Sequence, residues 1–342
     1  MKILHAPNNI TGTPKKLAEL EREKGFNSDS VSTTVVDIDG PSHFVSRDNL
    51  FAKIFFRIKY FYLSLTYYDV LNFHAGSSLL PLNLDLPFYR FFNKRVIFHY
   101  YGSEVRLTSE LKKINPYYKL LSQDNKNSEN KDWLKKLKMY WASIWIDHAI
   151  APKDVYFYVS KVFKEENISK IWSANLLSSE YLAKIDNIVE QKTLPVIIHC
   201  PTNKATKGTE FVLGAIERLK NKGIKFQFFL IENKEKEFVQ DFIINEADIV
   251  LDQYLTGSFG NLCVETMAAG KVAHCYLNDN FHDNDNLPIV NTTIENIEES
   301  LESLILNLEK RKEISLASQN FIKEKLNNSK VFQELEKIYT GK

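Results

Sequence analysis

Short apolar runs alternate along this chain with stretches whose apolar residues recur at helical spacing. Residues 2–6, 33–38, 70–73 and 96–99 form the compact runs expected of strands covered on both faces. Residues 14–24 read as a helix closed by Gly25, a residue suited to the left-handed turn that ends a helix. The alternation returns further on, where 196–199, 226–231, 248–251 and 272–276 are predicted strands with helices between them. One of those helices covers 211–219, with Phe211, Val212, Ala215, Ile216 and Leu219 on one face. A last helix is predicted over 329–339. Strands alternating with crossover helices in both halves predict an α/β chain of two doubly wound parallel sheets.

Two further stretches are dense in aromatic residues. In 51–68, Phe51, Ile54, Phe55, Ile58, Tyr62 and Leu65 keep helical spacing, with Lys53, Arg57 and Lys59 among them. In 133–146, Trp133, Leu137, Tyr140, Trp141 and Ile144 share a side, and Lys135, Lys136 and Lys138 lie nearby. Most of these apolar residues are expected to pack on the first sheet, leaving basic edges suited to an anionic membrane surface.

Composition narrows the class. The 342 residues suffice for two domains, and 44% hydrophobic with 25% charged residues is a soluble globular balance. No run of about 18 uncharged apolar residues occurs, and the opening strand is broken at Pro7, so neither a membrane span nor a signal peptide is expected. Cys200, Cys263 and Cys275 lack metal-ligand spacing and read as reduced core residues of a cytoplasmic protein. Residues 122–132 are the one strongly polar loop, and an interdomain linker is expected near 186–194. The net charge of +1 hides an asymmetry: 25 Lys and Arg face 19 Asp and Glu through residue 180, against 19 and 24 thereafter. A basic half beside an acidic half suits one domain meeting an anionic partner. Nucleic acid is not the expected one.

In doubly wound sheets ligands bind beyond the carboxyl ends of the strands. Residues 247–271 there read strand, glycine turn, helix. Gly257 and Gly260 let the backbone approach a ligand, and amides near Gly260, Asn261 and Leu262 would point at a phosphate. Glu265 follows in the helix, where a carboxylate can accept hydrogen bonds from sugar hydroxyls. A second loop, 200–208, carries Lys204, Lys207 and Gly208 into a helix start, a good diphosphate site. Phosphate beside polyol points to a sugar nucleotide. In the first half the same rule selects the loop 7–13 with Gly12, then His74 after the strand of 70–73, then 99–106 with His99, Tyr101, Glu104 and Arg106. His99 and Tyr101 share a strand face and could bond a sugar hydroxyl, and Glu104 with Arg106 could form an ion pair shaping the loop.

These motifs resemble the nucleotide-sugar signature of retaining GT-B-fold glycosyltransferases of glycosyltransferase family 4. That family places two glutamates, with seven residues between them, around a Gly-Phe-Gly turn. The second, a ribose contact, falls on Glu265, whereas the first, a contact of the transferred sugar, falls on Gly257. A subset instead carries a pattern met here by Asp252, Gln253, Gly257, Phe259, Gly260, Glu265, Met267, Ala268, Gly270 and Lys271. The family's pyrophosphate-binding Lys-Gly falls on Lys207 and Gly208, and Lys204 stands where Arg is commoner. Its His-Gly-x-Asp element is matched imperfectly by Tyr101, Gly102 and Glu104. The resemblance implies two Rossmann-like domains facing across a cleft, 1–188 on the acceptor side and 189–326 holding the nucleotide sugar. A terminal helix, 327–342, would cross back to the first domain.

The resemblance further implies a hexosyltransferase moving a sugar from a nucleoside diphosphate sugar to a glycan or lipid-linked glycan, in bacterial surface polysaccharide assembly. No cofactor and no metal are expected, and the acceptor-side domain would work in the cytoplasm or peripherally at the inner face of the cell membrane. Two rivals stay open: a GT-B-like sugar-nucleotide epimerase, and a nucleotide-sugar-binding subunit with little or no turnover. Incubation with donor alone separates the first, and binding without turnover marks the second.

Overall fold

The computed structural model describes residues 1–10, 12–32, 43–44, 50–122, 131–171, 176–185, 191–282, 286–325 and 327–341. The expected strand at 33–38, most of the polar loop 122–132 and the linker positions 186–190 lie outside the described residues. The chain divides into two compact units. One comprises Met1–Glu110, Asn127–Leu176 and Asn328–Lys342, and the other comprises Leu111–Lys126 and Leu177–Asn327.

The first unit holds a seven-stranded parallel sheet. Its strands are β1 (Lys2–Ala6), β2 (Asn27–Ser32), β3 (His43–Phe44), β4 (Val70–His74), β5 (Arg95–His99), β6 (His148–Ile150) and β7 (Ile168–Ser169), in the order β3-β2-β1-β4-β5-β6-β7. The chain therefore reverses direction across the sheet between β1 and β4, a topological switch point. The apolar residues of β1, β4 and β5 are buried, as strands covered on both faces require. Four of their polar residues, His5, Asn72, His74 and His99, are fully buried too. Helix Thr13–Glu23 starts after left-handed Gly12 with Pro14 in its first turn. It packs Leu17 and Leu20 on Ile3, and the terminal helix Asn328–Thr340 joins the same core through Val331, Phe332 and Leu335.

The second unit holds a five-stranded parallel sheet built from β8 (Val196–His199), β9 (Gln227–Leu230), β10 (Ile249–Leu251), β11 (Val272–Cys275) and β12 (Val290–Asn291). Their order, β12-β11-β10-β8-β9, puts the switch point between β8 and β10, where His199 pairs in register with Leu251. Helix Thr209–Asn221 buries Val212, Ala215, Ile216 and Leu219 as its spacing predicts. Segment Leu111–Lys126 belongs to this unit: Tyr117 meets Tyr276 edge-on at 5.1 Å, and Asn115 Nδ2–H donates to the Leu255 carbonyl at 2.8 Å. The three cysteines are buried and unpaired in disulfides.

Candidate active site

At the switch point of the second unit the loops after β8 and β10 are tied together by charge. Lys207 Nζ pairs with the carboxylate of Asp252, which is fully buried. That carboxylate also accepts the Gly260 N–H at 3.2 Å and the Cys263 thiol at 3.3 Å. Burial alone would raise the Asp252 pKa, but the Lys207 ammonium and these donors outweigh it and hold the group below its ordinary value. Lys207 moves the opposite way: burial lowers its pKa, and Asp252 more than restores it. The lysine is placed by a short helix, Lys204–Lys207, capped by the Asn203 side chain on the Thr206 amide at 2.9 Å. Gly208, at φ 71°, ends that helix and opens the next, which ordinary side chains disfavour. Beneath the pair, His199 reaches the Leu251 carbonyl through Nδ1 and the Thr209 hydroxyl through Nε2, both at 2.9 Å. A carbonyl only accepts, so Nδ1 carries the proton and Nε2 accepts from Thr209. Lys204, its side chain 60% exposed, pairs with Glu232 at 2.9 Å.

The signature turn follows. Gly257 sits at φ 76°, and a Cβ there would lie 2.7 Å from the Cβ of Asn278. A glutamate at this position would be strained and would collide with its neighbour, which accounts physically for the departure from the resembled pattern. Gly260 precedes helix Asn261–Ala268 with no side-chain cap, so the first amides, those of Asn261 and Leu262 included, have no capping side chain at Gly260. Phe259 packs its ring at 5.4 Å from His282. Glu265 is nearly buried; its carboxylate accepts Gln240 Nε2–H at 2.8 Å and lies 3.7 Å from Lys236 Nζ. Its backbone carbonyl accepts the Tyr181 hydroxyl at 2.7 Å. Lys271, the last residue of the motif, lies instead at the amino end of β11, where burial pushes its amine down to about 8. A pocket of about 460 Å³ opens beyond β11 and β12, lined by Tyr276, Asn278, Asp279, Asn280 and Thr292 among others. Asn278 joins it to the turn by donating its N–H to the Gly257 carbonyl at 2.9 Å.

The first unit ends its sheet differently. Three donors converge on the buried carboxylate of Glu21: His5 Nε2 at 2.9 Å, the Ser28 hydroxyl at 2.6 Å and the Tyr339 hydroxyl at 2.6 Å. With His5 Nε2–H spent on Glu21, His5 Nδ1 accepts from His74 Nε2–H at 3.0 Å. His74 Nδ1 then accepts from the Tyr101 hydroxyl at 2.6 Å. A side branch runs from His99 Nε2–H to Asn72 Oδ1 at 2.9 Å, and from Asn72 Nδ2–H to the Tyr339 hydroxyl at 3.2 Å. Burial, with His99 and His5 beside it, holds His74 well below the usual imidazole range. Burial and the neighbours His5 and His148 do the same to His99. Both imidazoles are therefore neutral. Burial and Glu104 push the Tyr101 phenol well above its ordinary value, keeping it protonated.

His74 and His99 are thus brought together, their rings stacked at 4.7 Å, but both are fully buried, and Tyr101 is the part-exposed end of the chain. Glu104 does not form the expected pair with Arg106. Its carboxylate accepts the backbone amides of Tyr101 at 2.5 Å and Gly102 at 3.1 Å, while Arg106 pairs with Asp154 at 3.0 Å. Two adjacent amides are a better match for a carboxylate near the turn than a guanidinium committed elsewhere. In the loop after β1, the Gly12 amide bonds Asn9 Oδ1 at 3.1 Å and Asn8 Nδ2–H reaches the His74 carbonyl at 3.1 Å; Thr11 lies outside the described residues. His5, Glu21, Asn72 and Tyr339 escaped the sequence reading. The one available signal was Glu21, an acid on the buried face of its helix beside Leu17 and Leu20.

Among the described residues no group of three or more His, Cys, Asp or Glu side chains is arranged to hold a metal ion. No protein-family model matches the sequence, and no curated protein matches it. Solved structures do share the fold. A variant of S. aureus TarM in complex with fondaparinux, α-GlcNAc-glycerol and UDP matches with a TM-score of 0.52 at 13% identity, over 82% of this chain and 57% of that one. The chain thus spans 57% of the length of that protein. The catalytic domain of starch synthase IV from Arabidopsis thaliana, bound to ADP and acarbose, matches with a TM-score of 0.56 at 13% identity over 99% of both chains. An α-glucosyltransferase in complex with UDP and a DNA 13-mer containing an HMU base matches with 0.57 at 12% identity, again over 99% of both. What this chain shares with them is the GT-B glycosyltransferase fold of two Rossmann-like domains.

Proposed function

We propose that this chain is a glycosyltransferase that moves a sugar from a nucleoside diphosphate sugar to a hydroxyl of a glycan or lipid-linked glycan acceptor. The observation that carries the reading is the arrangement at the β8–β10 switch point: Lys207, the Gly260 turn, the helix amides after it and Glu265. A diphosphate laid there would meet the Lys207 ammonium and the amides of Asn261 and Leu262, which stabilise the charge that develops as it leaves. Lys204 would add a second, exposed cation, and Glu265 would accept hydrogen bonds from the ribose. This charge neutralisation takes the place of a metal. The fold neighbours carrying UDP or ADP support the same donor class. Within the first unit, the part-exposed Tyr101 presents a phenol oxygen to which a sugar hydroxyl would donate.

The resemblance to family 4 supports retention of configuration and a place in bacterial surface polysaccharide assembly. The test is release of nucleoside diphosphate from UDP-, GDP-, ADP- and dTDP-sugars with a panel of glycan acceptors, followed by NMR of the new anomeric centre. An α-donor giving an α-product supports the proposal, and an inverted product removes the retaining part. A second reading is a subunit that binds the donor without turning it over. Gly257 favours it, because the glutamate of the resembled signature has no room there. Tight donor binding with no product from any acceptor would select it.

A further inference from the structure

The two aromatic helices of the first unit do not bury the stripes that their spacing defines. On helix Leu50–Thr66 the buried residues are Phe56, Tyr60 and Ser64, whereas Phe51, Phe55, Ile58 and Tyr62 face outward, Phe51 at 82% exposure. On helix Asp132–Trp145 the buried side carries Met139 and Ala142, while Trp133, Leu137, Tyr140 and Ile144 are exposed, Trp133 at 67%. Helix Leu86–Phe91 packs against both and exposes Phe88 and Phe91, the latter at 81%. Phe61 meets Phe88 at 5.7 Å and Trp141 Nε1–H donates to the Asn83 carbonyl at 3.0 Å, so the three helices are joined side by side. Single exposed apolar residues are ordinary, but repeated stripes on neighbouring helices are not.

The charge on the same helices is of one sign. Lys59, Arg90, Lys136 and Lys138 are exposed. Neither Leu50–Thr66 nor Leu86–Phe91 contains an acid. Asp132 is buried and spent on the amides of Thr108 and Ser109, at 3.0 and 2.8 Å. Asp85, just before the middle helix, is buried on the Leu79 amide at 2.9 Å and the Tyr89 hydroxyl at 2.7 Å. Every exposed charge on the three helices is therefore positive. A second copy of this chain would bring like charges together on this face.

We propose that this face docks on an anionic lipid bilayer, its aromatic side chains entering the headgroup region and its lysines and Arg90 meeting lipid phosphates. The inference does not rest on the donor reading, so its test omits sugar nucleotide. The intact protein is sedimented with vesicles of phosphatidylcholine alone or mixed with phosphatidylglycerol, at low and high salt. Binding is expected only with phosphatidylglycerol and is weakened by salt. Phe51→Ser with Phe55→Ser, and separately Lys136→Glu with Lys138→Glu, should each weaken it roughly tenfold or more. All four side chains lie on helix surfaces, so an unchanged unfolding midpoint shows that the variants are folded. Three results would overturn the proposal: no binding to phosphatidylglycerol vesicles, equal binding to both vesicle types, or a dimer dissolved by the Phe51/Phe55 pair without any vesicle binding.

Discussion

The two sheets finish their carboxyl ends with opposite chemistry. In the second unit the switch point is ionic: a buried carboxylate, Asp252, is held by a lysine, an amide and a thiol. In the first unit it is a hydrogen-bonded chain, Tyr101, His74 and His5, ending on one carboxylate deep in the core. Both satisfy the rule that buried polar groups be bonded. The difference lies in what each can offer a ligand. An ammonium and helix amides suit an anion, whereas a phenol whose proton is committed inward presents an oxygen that accepts from a hydroxyl.

The comparison can be broken most sharply at Lys207. Lys207→Ala leaves Asp252 buried without its counter-charge and should cost about 3–5 kcal/mol in chemical denaturation. Adding Asp252→Asn should recover most of that loss; if it does not, the ionic account of this switch point is wrong. Next is Gly257→Glu, which restores the resembled glutamate. Positive φ and the approach to Asn278 should make it destabilising by about 2–4 kcal/mol, so a neutral result would contradict the geometry.

The hydrogen-bonded switch point responds to pH instead. His74 and His99 are held below their ordinary value in the folded state, so the unfolded chain takes up protons that the native one refuses. Stability present above about pH 6.5 is then lost on acidification, by about 1.4 kcal/mol per pH unit for each histidine. His199 in the second unit, and His274, pushed down to about 3, add in the same sense. Urea titrations between about pH 7 and 5.5 should show the slope, and His74→Gln should flatten it by one histidine's share. An unchanged slope would mean that His74 is not neutral. The smallest effect is expected at Lys204, whose exposed pair with Glu232 is worth at most about 0.5 kcal/mol. Lys204→Ala should leave stability almost unmoved while weakening nucleotide binding.

The second unit was largely legible in the sequence. Its strands β8, β10 and β11 are covered on both faces, so apolar runs mark them directly, and β8 spans the expected residues 196–199. The glycine turn and the Lys-Gly loop are local in sequence, which is why their positions could be read there. The first unit was harder for identifiable reasons. β2 is Asn-Ser-Asp-Ser-Val-Ser, buried through small hydroxyls rather than apolar side chains, and β6 is only three residues long. The histidine chain joins residues from β1, β4 and the loop after β5 to Tyr339 near the opposite end of the chain, a contact no spacing could announce. The aromatic helices misled in another way. Their helical periodicity was correct, but the buried side is the one built from Phe56, Tyr60 and Ser64, or Met139 and Ala142. Periodicity identifies a helix; it does not say which way the apolar stripe faces.

The most direct test of the donor site is thermal unfolding with UDP-, GDP-, ADP-, dTDP- and CMP-sugars, run on the parent and on Glu265→Ala. A ligand that binds only the native state at a hundredfold excess over Kd stabilises it by about 2.7 kcal/mol. The account predicts a raised midpoint with one diphosphate class, absent with CMP-sugars and lost in Glu265→Ala. A midpoint unmoved by every nucleotide, or a shift that survives the loss of Glu265, would contradict it.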